Sequence, residues 1–434
     1  MVTVSLVSGN SVVLPFSGKA TVGQLKAKAQ QHFQKGLLTL VAEARILDPD
    51  LTLEEAEIHK NSAVLACVEP AKLGSSRWAM VLALHTSMRC AVWGDLKKGG
   101  DCRNVQAQLK QVRQVQCTGA ACAAILHDGS VIAWGDPGLG GNCSSVQEQL
   151  VDVEVLAAGV GAFAAVKCDG SVVTWGHARF GGDCSEVQEE LQEVKQVTGS
   201  VASFAALRAD GSVVTWGLAH YGGSTHWLQQ QLQQVQHIEA SRAAFAALKA
   251  DGSVVTWGDP NLGGDSSAVQ QSLSQVQQVS STEGAFVALS EEHRAVCWGE
   301  SSMGGRLPDD LGDVRLVRGT SSAFAALMTD GRVLAWGNRQ AGGDIPAAAA
   351  AELGRGSVVE LCASSGAFAA LKADGSVVTW GNPKAGGDSS AVQEQLKQVT
   401  QIARCLLAFA AVLADGRVVC WGGLVQSGLQ DLDL

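Results

Sequence analysis

Two apolar runs separated by a polar turn recur along most of this chain. In residues 366–381, GAFAALKADGSVVTWG, the segments AFAAL and SVVTW are dense in small, β-branched and aromatic residues and read as strands. Asp374-Gly375 between them is a strong hairpin signal, because the glycine accepts positive φ. The same pair stands at Asp169-Gly170, Asp210-Gly211 and Asp251-Gly252, and gives way to Ser87-Met88 in the first copy and Glu292-His293 in the sixth. Trp-Gly closes the hairpin nine times, at Trp93, Trp134, Trp175, Trp216, Trp257, Trp298, Trp336, Trp380 and Trp421. The spacing is 41 residues except for one interval of 38 followed by one of 44, so one connection is three residues short and the next three long.

Upstream of each hairpin a further apolar stretch, such as VEVLA at 153–157 or VVELC at 358–362, predicts a third strand. Downstream, a Gly-Gly turn leads into segments such as DSSAVQEQLKQV. There Asp388, Ser389 or Ser390 can cap a short helix carrying Val392 and Leu396, and Pro346 suits a first helical turn. Twelve residues before the Trp lies Phe163, Phe204, Phe245, Phe286, Phe324, Phe368 or Phe409, with Cys122 and Val81 in the first two copies. A three-stranded unit cannot bury both of its faces, so stacked copies must cover one another. The expected architecture is mainly β: a propeller of eight or nine three-stranded blades with short helices over 78–434. Residues 429–434 are expected to pair with the first repeat and close the ring.

Residues 1–70 lack the repeat. VTVSLV and SVVLPF predict two strands, and TVGQLKAKAQQHFQKG a helix capped by Thr21, with Val22, Leu25, Ala29 and Phe33 on one face and Gly36 at its end. LLTLVA and AVLACV complete a β-β-α-β-β order. The chain therefore divides into an α+β domain at 1–70, a linker at 71–77 and the propeller at 78–434.

The repeated pattern AxxALxxDGxVxxWG resembles the repeats of the regulator of chromosome condensation family. Its 41-residue length is closer to the compact repeats of the bacterial β-lactamase inhibitor propeller. The resemblance implies a β-propeller. Two departures stand out: Phe replaces the family's His before the second strand, and Gly-Gly-Asp replaces its Gly-Gln-Leu-Gly turn. The N-terminal segment, with LDPDLTLEEAEIHKNSAVLACV, resembles ubiquitin. That resemblance aligns Val41 and Cys67 with two residues of the surface that ubiquitin receptors read, and Lys60 with a chain-forming lysine. No Gly-Gly tail follows the last strand; EPAKLGSS stands there, which argues against conjugation. The domain either caps and spaces the propeller or docks to a ubiquitin receptor or the proteasome.

Composition narrows the function. A net charge of −10 lacks the basic footprint of a nucleic-acid binder. No apolar run is long enough to span a membrane. The N-terminus does not read as a secretory signal, and the 12 Cys form no CxxC pair, so a reducing compartment, cytosol or nucleus, is expected. No nucleotide-binding, hydrolase or zinc-protease motif appears, and no cofactor or metal is expected. Cys102, Cys143 and Cys184 recur at one repeat position and read as copies inherited through duplication. His177, His220, His226 and His237 fall at differing repeat positions and read as no metal site.

The candidate chemistry is recognition of protein. Between Trp-Gly and Gly-Gly lie the most variable residues: DLKK, DPGL, HARF, LAHY, DPNL, ESSM, NRQA and NPKA. Phe180 and Tyr221 occupy the same place in consecutive units, flanked by His177, Arg179 and His220. His226 and Trp227 follow in the next connection. Aromatic and Arg residues gathered on one surface have the composition of a binding hot spot. The expected function is a non-enzymatic interaction scaffold. The alternative is a regulatory subunit or fragment of ubiquitin-ligase or small-GTPase exchange machinery, without the ligase catalytic domain.

Overall fold

The structure is a computed structural model that describes residues 2–423, apart from 7–10, 16–18, 34–37, 43–44, 48–50, 60–61, 69–71, 75–80, 86–89, 95–98, 310, 405 and 415–416. The N-terminal unit comprises β1 (Val2–Leu6), β2 (Ser11–Leu14), α1 (Val22–Phe33), β3 (Leu38–Ala42), β4 (Arg45–Ile46) and β5 (Ala63–Val68). Its sheet runs β2-β1-β5-β3-β4, with β1 parallel to β5 and the other neighbours antiparallel. Thr21 opens α1 through a reciprocal cap. Gln24 N donates to Thr21 Oγ1 and Thr21 N donates to Gln24 Oε1, each at 3.2 Å. Val22, Leu25 and Ala29 are buried against Val4, Leu40, Leu53 and Val64. The side chain of Phe33, and Gly36, lie outside the described residues.

Nine three-stranded antiparallel sheets follow, arranged as the blades of a propeller. The first consists of β6 (Lys72–Gly74), β7 (Val81–His85) and β8 (Cys90–Gly94). Residues 72–74, inside the expected linker, thus form its first strand. Its hairpin is one residue shorter than the others: Leu82, not Val81, faces Trp93. Blade two comprises Val112–Cys117, Ala121–Leu126 and Val131–Gly135, and blade three Val153–Ala158, Ala162–Lys167 and Val172–Gly176. The first strands of neighbouring blades lie side by side, so they are the inner strands. The expected pairing of residues 429–434 lies outside the described residues.

The alanine-rich middle strand follows from how blades stack. Successive side chains point to opposite faces. On one face of blade three, Ala162, Ala164 and Val166 receive Phe204 and Trp216 of blade four. On the other, Phe163 and Ala165 press onto Ala121 and Ala123 of blade two. An aromatic face therefore always meets a small-residue face. In seven blades the Phe lies opposite the Trp and against its ring, with centroids 5.1 to 5.5 Å apart.

Three backbone-level links recur between blades. The Trp indole N–H donates to the carbonyl of the first glycine of the preceding Gly-Gly pair, as Trp257 does to Gly222 at 3.0 Å. That glycine needs its lack of a side chain. Gly222 has φ +89°, and a Cβ there would sit 2.6 Å from the Phe245 ring. The Asp-Gly turn offers its glycine carbonyl to the next blade's inner strand, as Gly170 does to Val194 N at 2.9 Å. In blade six His293, at φ 63°, takes the glycine's place and its carbonyl accepts from Val314 N. Finally, a column of seven backbone bonds runs Gly119→Val160→Val201→Arg242→Glu283→Ser321→Ser365→Leu406, each N–H donating to the next blade's carbonyl.

The connecting segments are 3-10 turns, as at Ser185–Glu190, Ser267–Ser272 and Ser390–Gln395, and not the short α-helices expected from their pattern. Their glutamine explains the tighter winding. Gln393 Nε2 reaches back to the Val377 carbonyl at 3.0 Å while Gln393 Oε1 accepts from Ser389, drawing the turn onto the strand. The one α-helix described in the propeller, Ala347–Leu353 after Pro346, lies in the interval with three extra residues.

Replacing Trp257 by Phe keeps an aromatic six-membered ring but removes the pyrrole half of the indole with its donor, leaving the buried Gly222 carbonyl without its partner. The expected loss is about 1–3 kcal/mol, and Gly222→Ala, which meets the Phe245 ring at positive φ, should cost at least as much. Equilibrium denaturation checks both; losses below about 0.5 kcal/mol would show that this bond does not hold the blades.

Candidate protein-binding face

The variable loops fold as single 3-10 turns at Pro137–Leu139, Ala178–Phe180, Ala219–Tyr221, Pro260–Leu262, Ser301–Met303, Arg339–Ala341 and Pro383–Ala385. Most open on a carboxylate or amide: Asp136, Asp259, Glu300, Asn338 and Asn382 each accept from the backbone N–H two residues on. Each ends on a left-handed glycine, the first of the Gly-Gly pair. A buried hydroxyl pins the loop's third carbonyl. Thr118 Oγ1 donates to Leu139 O at 3.0 Å, Ser241 Oγ to Leu262 O at 2.9 Å and Thr282 Oγ1 to Met303 O at 3.0 Å.

The loop of blade three departs from both devices. His177 makes no side-chain cap, and Gly159 stands where the hydroxyl would be. The loop is packed instead. The His177 and Phe180 rings stack with centroids 4.5 Å apart, and Phe180 is half-buried over Gly161, where an added Cβ would lie 2.4 Å from its ring. Phe180 is therefore part of the blade corner, in the place of Leu139, Leu262 and Met303, rather than a freely exposed anchor. Tyr221 is likewise half-buried, edge-on to His220 at 5.9 Å, and its carbonyl accepts from Ser200. Arg179 and His177 are exposed.

His220 joins two loops. Its Nε2 lies 3.2 Å from Oδ2 of Asp259, the cap of the next blade's loop. That contact puts consecutive loops side by side on one face and adds Asp259, known from the sequence only as part of the variable stretch DPNL, to the surface. His226 and Trp227 sit on a separate 3-10 turn, His226–Leu228, after the Gly-Gly pair. Trp227 is 69% exposed, the most exposed large hydrophobic side chain among the described residues. His237, on an inner strand, lies 3.7 Å from Glu239, and no group of metal-ligating residues occurs among the described residues.

The recurring thiols have a structural task. Cys102, Cys143 and Cys184 are buried and donate to Gln106, Gln147 and Gln188, the work that Ser266 and Ser389 do for Gln270 and Gln393. Burial pushes all three thiols up, and Cys362, which is also beside Glu360, to about 12, which makes them poor nucleophiles.

In the N-terminal unit, Val41 is half-buried and pairs with Leu65, which is 40% exposed. Their strand neighbours Leu40, Ala42 and Val64 point into the core, so Val41 and Leu65 share the outward face. Cys67 pairs through its backbone with Thr39, and Lys60 lies outside the described residues.

No known protein-family pattern matches the chain, and no curated protein matches it in sequence. Among solved structures it is similar to Prp20p of Saccharomyces cerevisiae, at 15% identity and a TM-score of 0.36 over 55% of this chain and 74% of that one. It is also similar to the ectodomain of the receptor kinase CR4 of Physcomitrella patens, at 15% identity and a TM-score of 0.40 over 62% of this chain and 74% of that one. The computationally designed Ika8 protein matches at 14% identity and a TM-score of 0.38 over 82% of this chain and 97% of that one.

Burial separates the candidate residues. Trp227→Ala should leave stability within about 0.5 kcal/mol, whereas Phe180→Ala should cost about 1–3 kcal/mol through lost packing. Denaturation curves of the two variants check this, and equal losses would refute the assignment of Phe180 to the corner.

The hairpin turns at the other end of the blades share one carboxylate arrangement. Asp169, Asp210, Asp251 and Asp374 each accept from the Ser two residues on, through its hydroxyl at 2.6 Å and its backbone N–H at 2.9 or 3.0 Å, which holds their carboxyls below the usual range. With folded pKa values depressed, the unfolded chain takes up protons first. The stabilisation is complete above the ordinary aspartate range and is lost as pH falls through and below it. Urea midpoints between about pH 6 and about pH 3 should fall less steeply for Asp251→Asn than for the unaltered chain.

Proposed function

We propose that the protein is a non-enzymatic scaffold whose loop face binds a protein partner. The observation that carries this reading is Trp227, 69% exposed on a rigid blade beside His226. Aligned copies carry Ser185 and Glu186, Ser267 and Ala268, or Ser390 and Ala391 at these two places. An exposed Trp on a fixed frame loses little entropy on binding and offers a large contact area. His177, Arg179 and His220, with the edges of Phe180 and Tyr221, supply polar and aromatic contacts in neighbouring loops. The partner is a protein, with neither nucleic acid nor membrane involved, and the setting is the cytosol or nucleus. Affinity capture with the full chain should lose its partner on joint substitution His226→Ala and Trp227→Ala. Undiminished capture by that variant would reject the reading.

We further propose that the N-terminal unit is ubiquitin-like and docks to a ubiquitin receptor, the proteasome included. The strand order β2-β1-β5-β3-β4 around one helix supports this, as does the outward pair Val41 and Leu65 on adjacent strands. Val41→Asp should abolish chemical-shift changes on titration with a ubiquitin-binding receptor domain; unchanged shifts would refute it.

A further inference from the structure

Blade two breaks the repeat at two places that face each other. Its middle strand carries Cys122 opposite Trp134, where seven later blades carry Phe. Directly across from it on the inner strand is Cys117, where those blades carry Ala158, Gly199, Ala240, Ser281, Gly319, Ala363 and Arg404. Neither Cys is inherited from the repeat, yet both arise in one blade at paired positions. Their sulfurs are joined as a disulfide. Cys117 is 1% exposed and Cys122 0%.

The disulfide occupies the seat of the missing ring. Sγ of Cys122 faces Gly99 of the preceding loop, 3.3 Å from where a Cβ would stand, as the Phe163 ring faces Gly140. Trp134 still donates to the Gly99 carbonyl at 2.9 Å. Both sulfurs belong to one apolar cluster with Leu109, Val112, Val115 and Trp134. Cys102 is in that cluster too, but its thiol is engaged with Gln106.

We propose that Cys117 and Cys122 form a thiol–disulfide switch that sets how tightly blade two packs beneath Trp134. A small disulfide such as oxidised glutathione is the oxidant. The pair is buried in the closed blade, so the reaction runs through the opened one: there a cysteine thiolate attacks the oxidant, releasing one glutathione and forming a mixed disulfide. The second thiolate displaces the other glutathione and closes the Cys117–Cys122 bond. Two electrons and two protons leave the protein, and the oxidant becomes two thiols. In the reduced form two separate thiols stand where other blades hold a phenyl ring. Reduction removes the covalent link between the inner and middle strands, and the blade opens more often.

The test uses the full chain equilibrated in glutathione buffers of graded ratio. Differential alkylation and mass spectrometry read the two cysteines, and hydrogen exchange reads the amides of 112–135. The pair should pass from alkylated to bonded across the series. Exchange in 112–135 should be about tenfold or more faster in the reduced form, with the later blades unchanged. The double variant Cys117→Ala, Cys122→Phe, which restores the pattern of the other blades, should exchange slowly at every ratio. Two thiols alkylated at all ratios, a bond that persists at all ratios, or equal exchange in both forms would each overturn the switch. Should the double variant misfold, Cys117→Ser keeps the test: it should exchange like the reduced chain at every ratio, and any dependence on the ratio would count against the proposal.

Discussion

A tryptophan indole N–H donating to a glycine carbonyl one blade upstream fixes the geometry of this propeller. The bond recurs at Trp134, Trp175, Trp216, Trp257, Trp298, Trp336, Trp380 and Trp421. For the carbonyl to point at the next blade, the glycine must sit at positive φ, and for the ring beneath to fit, it must lack a Cβ. The Phe that fills the remaining space needs a flat floor, which the preceding blade supplies as alanines. Gly-Gly, AFAAL and Trp-Gly are thus three parts of one contact, and blade two, where Cys122 replaces the Phe, keeps the glycine and the Trp bonded to each other. A buried indole donor and a buried carbonyl satisfy each other, so the interface is both apolar and free of the cost of a lost hydrogen bond.

That coupling explains what was legible from the residues. Trp-Gly at a near-constant interval announces a repeat because every copy must meet the same neighbour. The three strands and the Asp-Gly turns follow from local pattern, which left the blade count at eight or nine; the structure has nine. The shift of Trp spacing from 38 to 44 residues is absorbed outside the blades, where Ala347–Leu353 adds a helical turn, so the contact itself is undisturbed. The thiol column at Cys102, Cys143 and Cys184 is a hydrogen-bond donor to glutamine, interchangeable with serine. That role was hidden because a free thiol in sequence carries no sign of its partner.

Other features were not legible because they depend on tertiary contact. The connecting segments have a helical spacing, but Gln188, Gln270 and Gln393 bond back to strand carbonyls and wind the backbone tighter. Phe180 stands out in sequence as an odd aromatic in a variable loop, yet its place is the corner over Gly161, where any bulky side chain packs. Variation at that position is volume adjustment. The strand at Lys72–Gly74 was invisible because three residues without a long apolar run give no periodic signal.

The same coupling also decides where specificity can reside. In each blade the middle strand, the Gly-Gly pair, the Trp and the turn are committed to neighbours. The positions left free are the first two of each loop turn and the exposed side of each connecting turn. Arg179 and His220 occupy the first kind, His226 and Trp227 the second, and His177 is a cap position that makes no side-chain cap bond. The unusual residues of the chain fall where the frame makes no demand on them, which is the distribution expected when the frame serves to present them. His220 shows how presentation works: its contact with Asp259 ties a free position to the cap of the next loop, so the orientation of one loop is set by its neighbour as well as by its own turn.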